Sequence, residues 1–497
     1  MKSKVVIVFI LSILPSLLFS QSYGSQWVFG PNPSTLDFRN DTISRVVLPH
    51  TFNTYLTNAN ICDSDGNLLF ITDGINIYDK TGAILPNGDT LSPCAFTNSY
   101  IQLDDGLNIP QGALFIPQPD SKHNYHLFHM SQDTLNGGRP GTLYYSIVND
   151  SIGNGEVLKK NIVFSKGIFS EGGLTACKHA NGRDYWLIKG CHNSNEYFKF
   201  LFTPDTILGP YTQSIGPVYG SPDDIVYSKF SLDGSKYVTG AVGGYITVMD
   251  FDRCSGEFSN AVTIFNESST DSNISATGCA AVEFSPSGRF VYVSDRINLN
   301  QYDLLAPNIQ DSVEIYRASD TDYAQIDFVQ LAPNGKLYGS TWSGGFRFIH
   351  VINYPDSLGL ACNFVYGGQP TSSANSNNLP NMINYNLGPL VGSGCDTIHV
   401  DTTHTDTTGV GVIGFGINNL LRVLPNPADK YLYVEMGMQG SYQFELINAT
   451  GQIVAIKQTQ QVDIFDTENL PSGIYLLQAI DTNNLHIITT QKVVVQH

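Results

Sequence analysis

Phe230-Ser-Leu-Asp-Gly-Ser-Lys-Tyr-Val238 and Phe284-Ser-Pro-Ser-Gly-Arg-Phe-Val-Tyr292 are two copies of one local pattern. Each is the end of an apolar strand, a tight turn carrying Gly, and a second strand rich in Tyr, Phe and Val. Asp-Gly, Asn-Gly and Ser-Gly supply the positive φ that a short hairpin needs. Further copies are Cys62-Asp-Ser-Asp-Gly-Asn-Leu-Leu-Phe70, Lys178-His-Ala-Asn-Gly-Arg-Asp-Tyr-Trp186 and Leu331-Ala-Pro-Asn-Gly-Lys-Leu-Tyr338. A sixth, Phe115 to His126, turns through Pro119-Asp120-Ser121-Lys122 without the Gly.

The turn glycines are 66, 182, 234, 288 and 335, separated by 116, 52, 54 and 47 residues. The first interval contains the copy without Gly, so the period is near fifty residues, the blade length of larger propellers. Strand-like runs such as Tyr245 to Phe251 and Phe346 to Ile352 leave room for four strands per copy. A lone four-stranded sheet cannot bury both faces, whereas blades packed around an axis can. The reading is all-β: a seven-bladed β-propeller, with six or eight blades left open. The seventh blade is expected to combine Gln26 to Gly30 and Thr35 to Phe38 with Phe364 to Tyr385, pairing the two chain ends.

Composition agrees. The 497 residues predict more than one domain. They are 42% hydrophobic but only 14% charged, which argues against disorder and against long charged helices. Formal net charge is −18, and −20 without Lys2 and Lys4. Such a surface repels phosphate backbones, and no basic stripe offsets it, so nucleic-acid binding is excluded.

Lys2 and Lys4, the apolar run Val5 to Phe19, and Ser20 before Gln21 form the three parts of a secretory signal, with cleavage expected between Ser20 and Gln21. The run is interrupted by Ser12, Pro15 and Ser16 and is short for a membrane span, and no later stretch is long enough. The mature protein is thus expected to have no transmembrane segment. The expected organisation is signal peptide 1–20, propeller 21–392, linker 393–416 and a C-terminal domain 417–497. The linker is polar and repetitive and lacks the apolar pattern of a core. The last domain reads as short strands: Leu421 to Leu424, Tyr431 to Glu435, Tyr442 to Ile447, Ile453 to Ile456, Ile474 to Ile480 and Ile487 to Val495. Its size and turn punctuation suggest a small immunoglobulin-like sandwich.

Two resemblances add to this. Trp27 to Gly30, Leu36 to Phe38, Gly66 to Gly74, His179 to Trp186, Asp252-Arg-Cys-Ser-Gly256, Phe284 to Gly288 and Leu379-Pro-Asn381 together resemble a family of secreted Bacteroidetes proteins over residues 25–395. That resemblance implies a propeller related to WD-type repeats and brings no catalytic residues. Pro425-Asn426-Pro427, Gly451, Leu470-Pro-Ser-Gly473-Ile-Tyr475 and Lys492-Val-Val-Val495 resemble the type A sorting signal of the type IX secretion system. It implies a translocon and a sortase as partners, and a secreted or outer-membrane cell-surface location reached through the periplasm.

Eight Cys in an oxidising compartment permit disulfides. Cys362 and Cys395 flank the last propeller segment and are the candidate pair. There is no CxxC, HExxH, GxSxG, Walker loop or dinucleotide fingerprint, so no catalytic residue, metal or cofactor is expected. If each inner strand leads into its Gly turn, the next loop lies on the opposite rim. The ligand candidates of that rim are Asp73, His129, His192, Asp295, Arg296 and Trp342. The function expected is a secreted or cell-surface binding protein for an unidentified glycan or protein. The alternative is a propeller-fold polysaccharide hydrolase or lyase, which requires two or three carboxylates deep in the channel.

Overall fold

The computed structural model describes residues 22–103, 105–133, 139–218, 225–266, 278–318, 324–342, 345–375, 379–395, 421–424, 428–436, 441–448, 452–459, 462–482 and 486–496. The chain divides into two compact units between Leu390 and Val391.

The first unit contains seven antiparallel sheets, one per blade, among the described residues. Blade one is Gln26–Phe29, Ser34–Asp37 and Ser44–Val47. Blade two is Ala59–Cys62, Leu68–Thr72 and Ile77–Asp79. Blades three to seven have four meandering strands each. Their inner strands are Ala113–Pro117, Thr175–Lys178, Ile225–Phe230, Ala281–Phe284 and Ile326–Leu331. A two-residue strand, Glu171–Gly172, adds in parallel to the inner edge of blade five.

The inner strands are short runs buried almost throughout, because neighbouring blades cover both faces. Outer strands such as Ile207–Ser214 are mostly exposed. Aromatic residues fill the gaps between blades. Trp27 of blade one meets Tyr338 of blade seven edge-on at 5.8 Å, and Phe38 meets the same ring at 5.5 Å.

All six hairpins read from the sequence are present, and every turn Gly has positive φ, from +72° at Gly288 to +86° at Gly66. The expected composition of the seventh blade is corrected. The N-terminal strands make their own three-stranded sheet with Ser44–Val47, and Phe364–Asn375 is the outer strand of blade seven. The ring closes by packing between these two sheets rather than by a shared sheet, with Ser373 Oγ donating to Ser34 Oγ at 2.9 Å. The missed strand, Ser44–Val47, is exposed along its whole length and carries no buried alternation to betray it.

The disulfide pairing is also corrected. Cys254 and Cys395 are the disulfide-bonded cysteines, whereas Cys362 is free. Cys362 ends a short 3-10 turn, Gly359–Cys362, and its side chain belongs to the core shared by blades six and seven, beside Tyr292. A thiol committed to that packing does not reach a chain leaving the ring. Alkylation in denaturant without reductant should modify Cys62, Cys94, Cys177, Cys191, Cys279 and Cys362. Cys254 and Cys395 should be protected until reduction, and a labelled Cys254 would contradict the assignment.

The second unit is a two-sheet sandwich. One sheet is Leu421–Leu424, Tyr431–Met436 and Val462–Asp466. The other is ordered Ile453–Thr459, Tyr442–Asn448, Gly473–Asp481 and His486–Val495. Residues two apart point to one face of a strand. Tyr442, Phe444 and Leu446, then Tyr475, Leu477 and Ala479, therefore meet Leu432, Val434 and Phe465 in one core. Val462–Asp466 is the strand the sequence reading missed, since Asp463 and Asp466 bracket only Ile464 and Phe465. Gly473 opens a strand, Tyr475 donates its hydroxyl to Pro471 O at 2.8 Å, and Lys492 falls in the last strand. Pro425, Asn426, Pro427, Gly451, Ser20, Gln21 and most of the expected linker lie outside the described residues.

Candidate functional site

The axis of the propeller is where inner strands from different blades converge, so its polar residues are the first place to look. After Asn375 the chain re-enters this axis. Asn381, 1% exposed, takes hold of three blades there. Its backbone N–H donates to Asn58 O at 2.8 Å, and Nδ2 donates to Ala113 O at 3.0 Å and Leu174 O at 2.9 Å. Gln111 Nε2 donates to Asn381 Oδ1 at 3.3 Å and to Ser228 O at 3.0 Å, while Ser228 N–H donates to Gln111 Oε1 at 2.8 Å. Asn58, Ala113 and Leu174 stand at or just before the starts of inner strands, so this seal lies at the end away from the Gly turns.

On the Gly-turn side of the seal is a cavity of about 650 Å³. Trp27, Phe38, Met382 and Tyr385 form apolar walls, and Lys229, Glu283 and Gln330 form a polar floor. These three come from the inner strands of blades five, six and seven, each five residues before its turn Gly. Lys229 Nζ donates to Gln330 Oε1, and to Met382 O at 3.5 Å, and sits 3.8 Å from Glu283 Oε2. Glu283 accepts the N–H groups of Phe284 at 3.0 Å and Leu331 at 3.1 Å. Burial draws Lys229 down and Glu283 up from their ordinary values, each toward its neutral form, and mutual attraction opposes both shifts. The floor is therefore a neutral-overall pair whose hydrogen bonds are met within the protein. Asp65, the other acid lining the cavity, sits exposed in the blade-two turn.

On the opposite rim, the expected candidates separate. Asp295, Arg296 and Trp342 stand together at the second-to-third strand loops of blades six and seven. Arg296 Nε donates to Asp327 Oδ1 at 2.9 Å, and its guanidinium lies 3.5 Å from the centre of the Trp342 ring. Asp73 and Asp295 are buried and spend their carboxylates on their own loops. Asp73 Oδ1 accepts from Ile75 N at 2.8 Å and Asn76 N at 2.7 Å, and Asp295 Oδ1 accepts from Ile297 N at 2.9 Å and from Asn298 N. Burial raises both above the usual carboxylate range, Asp73 to about 6. His192 lies in the blade-four loop, where Arg139 Nε donates to its Nδ1 at 3.1 Å.

His129 is not a rim residue. It lies within the strand Asn124–Asp133, 1% exposed, between Ser92 Oγ at 2.7 Å and Ser146 Oγ at 3.0 Å, and stacks on Tyr144. Burial pushes its imidazole down to about 3, so it is a neutral bridge between two hydroxyls inside blade three. The strand runs on past it to Asp133, so His129 stands inside blade three and not in the loop that the rim reading expects.

The sequence reading passed over Lys229, Glu283, Gln330 and Asp327. A signal for the first three exists, namely a polar residue five before the Gly in blades five, six and seven. Blades two and four have Ile61 and Cys177 at that position.

Two family models match parts of the chain. Residues 422–496 match the secretion system C-terminal sorting domain. Residues 228–338, from blade five into blade seven, match the family described as lactonase, 7-bladed beta-propeller. Among solved structures, a Lactobacillus plantarum protein is 12% identical, covering 72% of this chain and 98% of its own, with a TM-score of 0.45. A putative 6-phosphogluconolactonase from Bacteroides fragilis is 13% identical, with the same coverages and a TM-score of 0.44. The periplasmic gluconolactonase of Pseudomonas aeruginosa is 12% identical, covering 73% of this chain and 98% of its own, with a TM-score of 0.41. No curated protein matches the chain.

The chain is a secreted β-propeller protein. It carries a type IX secretion sorting domain at residues 422–496 and is exported by that system to the cell surface or the medium.

Proposed function

We propose that the propeller is a binding protein that presents its turn-side cavity to a glycan or protein ligand outside the cell, without turning it over. The observation that carries this reading is the cavity floor. Its one deep carboxylate, Glu283, is held beside Lys229 and by two backbone N–H groups, so it is ill placed to move protons on a substrate. Aromatic walls around a small number of fixed polar groups are the usual make-up of a recognition pocket. Blades locked to one another by the axial seal hold these walls at low ordering cost.

The experiment is a panel of polysaccharides, glycosides and surface proteins, assayed for both binding and cleavage with the secreted protein. Saturable binding without product is expected, weakened by replacing Tyr385 or Phe38 with Ala. Turnover that disappears in Glu283→Gln, with melting unchanged, would replace this reading with the hydrolase or lyase.

A further inference from the structure

The mouth on the far side of the seal holds a second arrangement that the cavity does not use. The loops Thr72-Asp-Gly-Ile-Asn76 and Ser294-Asp-Arg-Ile-Asn298 are the same turn in blades two and six. In each, the hydroxyl of the first residue accepts the N–H two residues on, at 3.0 Å for Gly74 and 3.1 Å for Arg296. In each, the Asp carboxylate then accepts the next two N–H groups. The third position has φ of +86° at Gly74 and +76° at Arg296. That region suits Gly and strains a side chain. Blade six nonetheless carries the longest cationic side chain there.

The guanidinium of that side chain is held at two places. Trp342 covers one face, and Nε is fixed on Asp327 Oδ1. The edge formed by the two η nitrogens has no protein hydrogen bond among the described residues. Asp327 is itself 1% exposed, and its second oxygen, Oδ2, is buried with no hydrogen-bond partner. Buried carboxylate oxygens are rarely left so.

We propose that this mouth is a binding site for a hydroxylated carboxylate, of the kind an acidic sugar residue presents. The ligand carboxylate lies across the η edge of Arg296 in the two-bond geometry that a guanidinium matches. A neighbouring ligand hydroxyl donates to Asp327 Oδ2, which satisfies the orphan acceptor. Asp327 thus both positions Arg296 and reads the hydroxyl. The site is independent of the turn-side cavity and stands or falls separately from it.

The test uses the full secreted protein with galacturonate as probe, galactose as the hydroxyl-only control and propionate as the carboxylate-only control. The chain has three tryptophans, and Trp27 and Trp186 are buried, so Trp342 is the reporter. Galacturonate should change the Trp fluorescence saturably, and both controls should bind at least tenfold more weakly. Arg296→Gly, which the turn favours, and Asp327→Asn should each weaken galacturonate at least tenfold while melting stays cooperative. Arg296→Lys, which keeps the charge and loses the planar edge, should do the same. Trp342→Phe should abolish the fluorescence change but leave binding visible by ligand-observed NMR. The proposal is overturned by absence of saturable galacturonate binding, by equal binding of propionate, or by wild-type affinity in Arg296→Gly or Asp327→Asn.

Discussion

Cells producing the chain without residues 420–497 should retain it in the periplasm, with the signal at the cell surface and in the medium falling to background. The deletion removes the whole sorting domain, including every residue matched to the secretion family. Among the described residues the sandwich has a hydrophobic core of its own, from Val423 to Val495. Among the described residues the propeller clusters are likewise built from propeller residues. The defect expected from the deletion is therefore one of recognition rather than of folding. Fractionation with a periplasmic marker checks this. A truncated protein still found outside the cell would show that the sorting domain is dispensable for export. A milder version replaces buried Phe444 with Asp. A charge at a fully buried sheet position cannot be solvated, so the sandwich should unfold and export should fail to the same degree.

Five of the six hairpins were legible because two signals coincided at them, and the sixth, Phe115 to His126, showed only its apolar runs and a polar turn. A turn Gly marked the reversal, and an apolar run on either side marked strands covered on both faces. Where one signal was missing, the reading weakened. Ser44–Val47 has no buried face, and Phe364–Asn375 has Gly367, Gly368 and Pro370 inside it and no buried residue in its first half. The chain ends were therefore joined into one blade when each belongs to a sheet of its own. The candidate site was legible only in part for a different reason. The position of Arg296 on the rim follows from strand order, but its pairing with Asp327 joins two blades and leaves no trace in local pattern. The same holds for Lys229, Glu283 and Gln330, which meet across three blades. Pairings of this kind depend on how the ring closes, which is a property of the whole chain. Asn381 was visible only as the end of a motif, with no sign of what it holds.

That residue carries the largest single-site effect expected in the propeller. Asn381 lies outside any strand, yet it bonds to the backbone of three separate blades and to Gln111. Asn381→Ala keeps the backbone bond to Asn58 and deletes the amide. The carbonyls of Ala113 and Leu174 then lose this donor at the axis, and Gln111 loses one acceptor. An unsatisfied buried polar group costs roughly 1–3 kcal/mol, so two carbonyls and the vacated space should together cost about 3–5 kcal/mol. Asn381→Asp is the sharper comparison, because it keeps the shape and Gln111's acceptor while placing one carboxylate oxygen against two carbonyls. It should destabilise at least as much as Ala. Urea unfolding of both variants, followed by tyrosine and tryptophan fluorescence, gives the values. A midpoint close to that of the wild type in both would mean that the inner strands stay together without the axial seal. It would also mean that packing between blades alone holds the ring and the floor of its cavity.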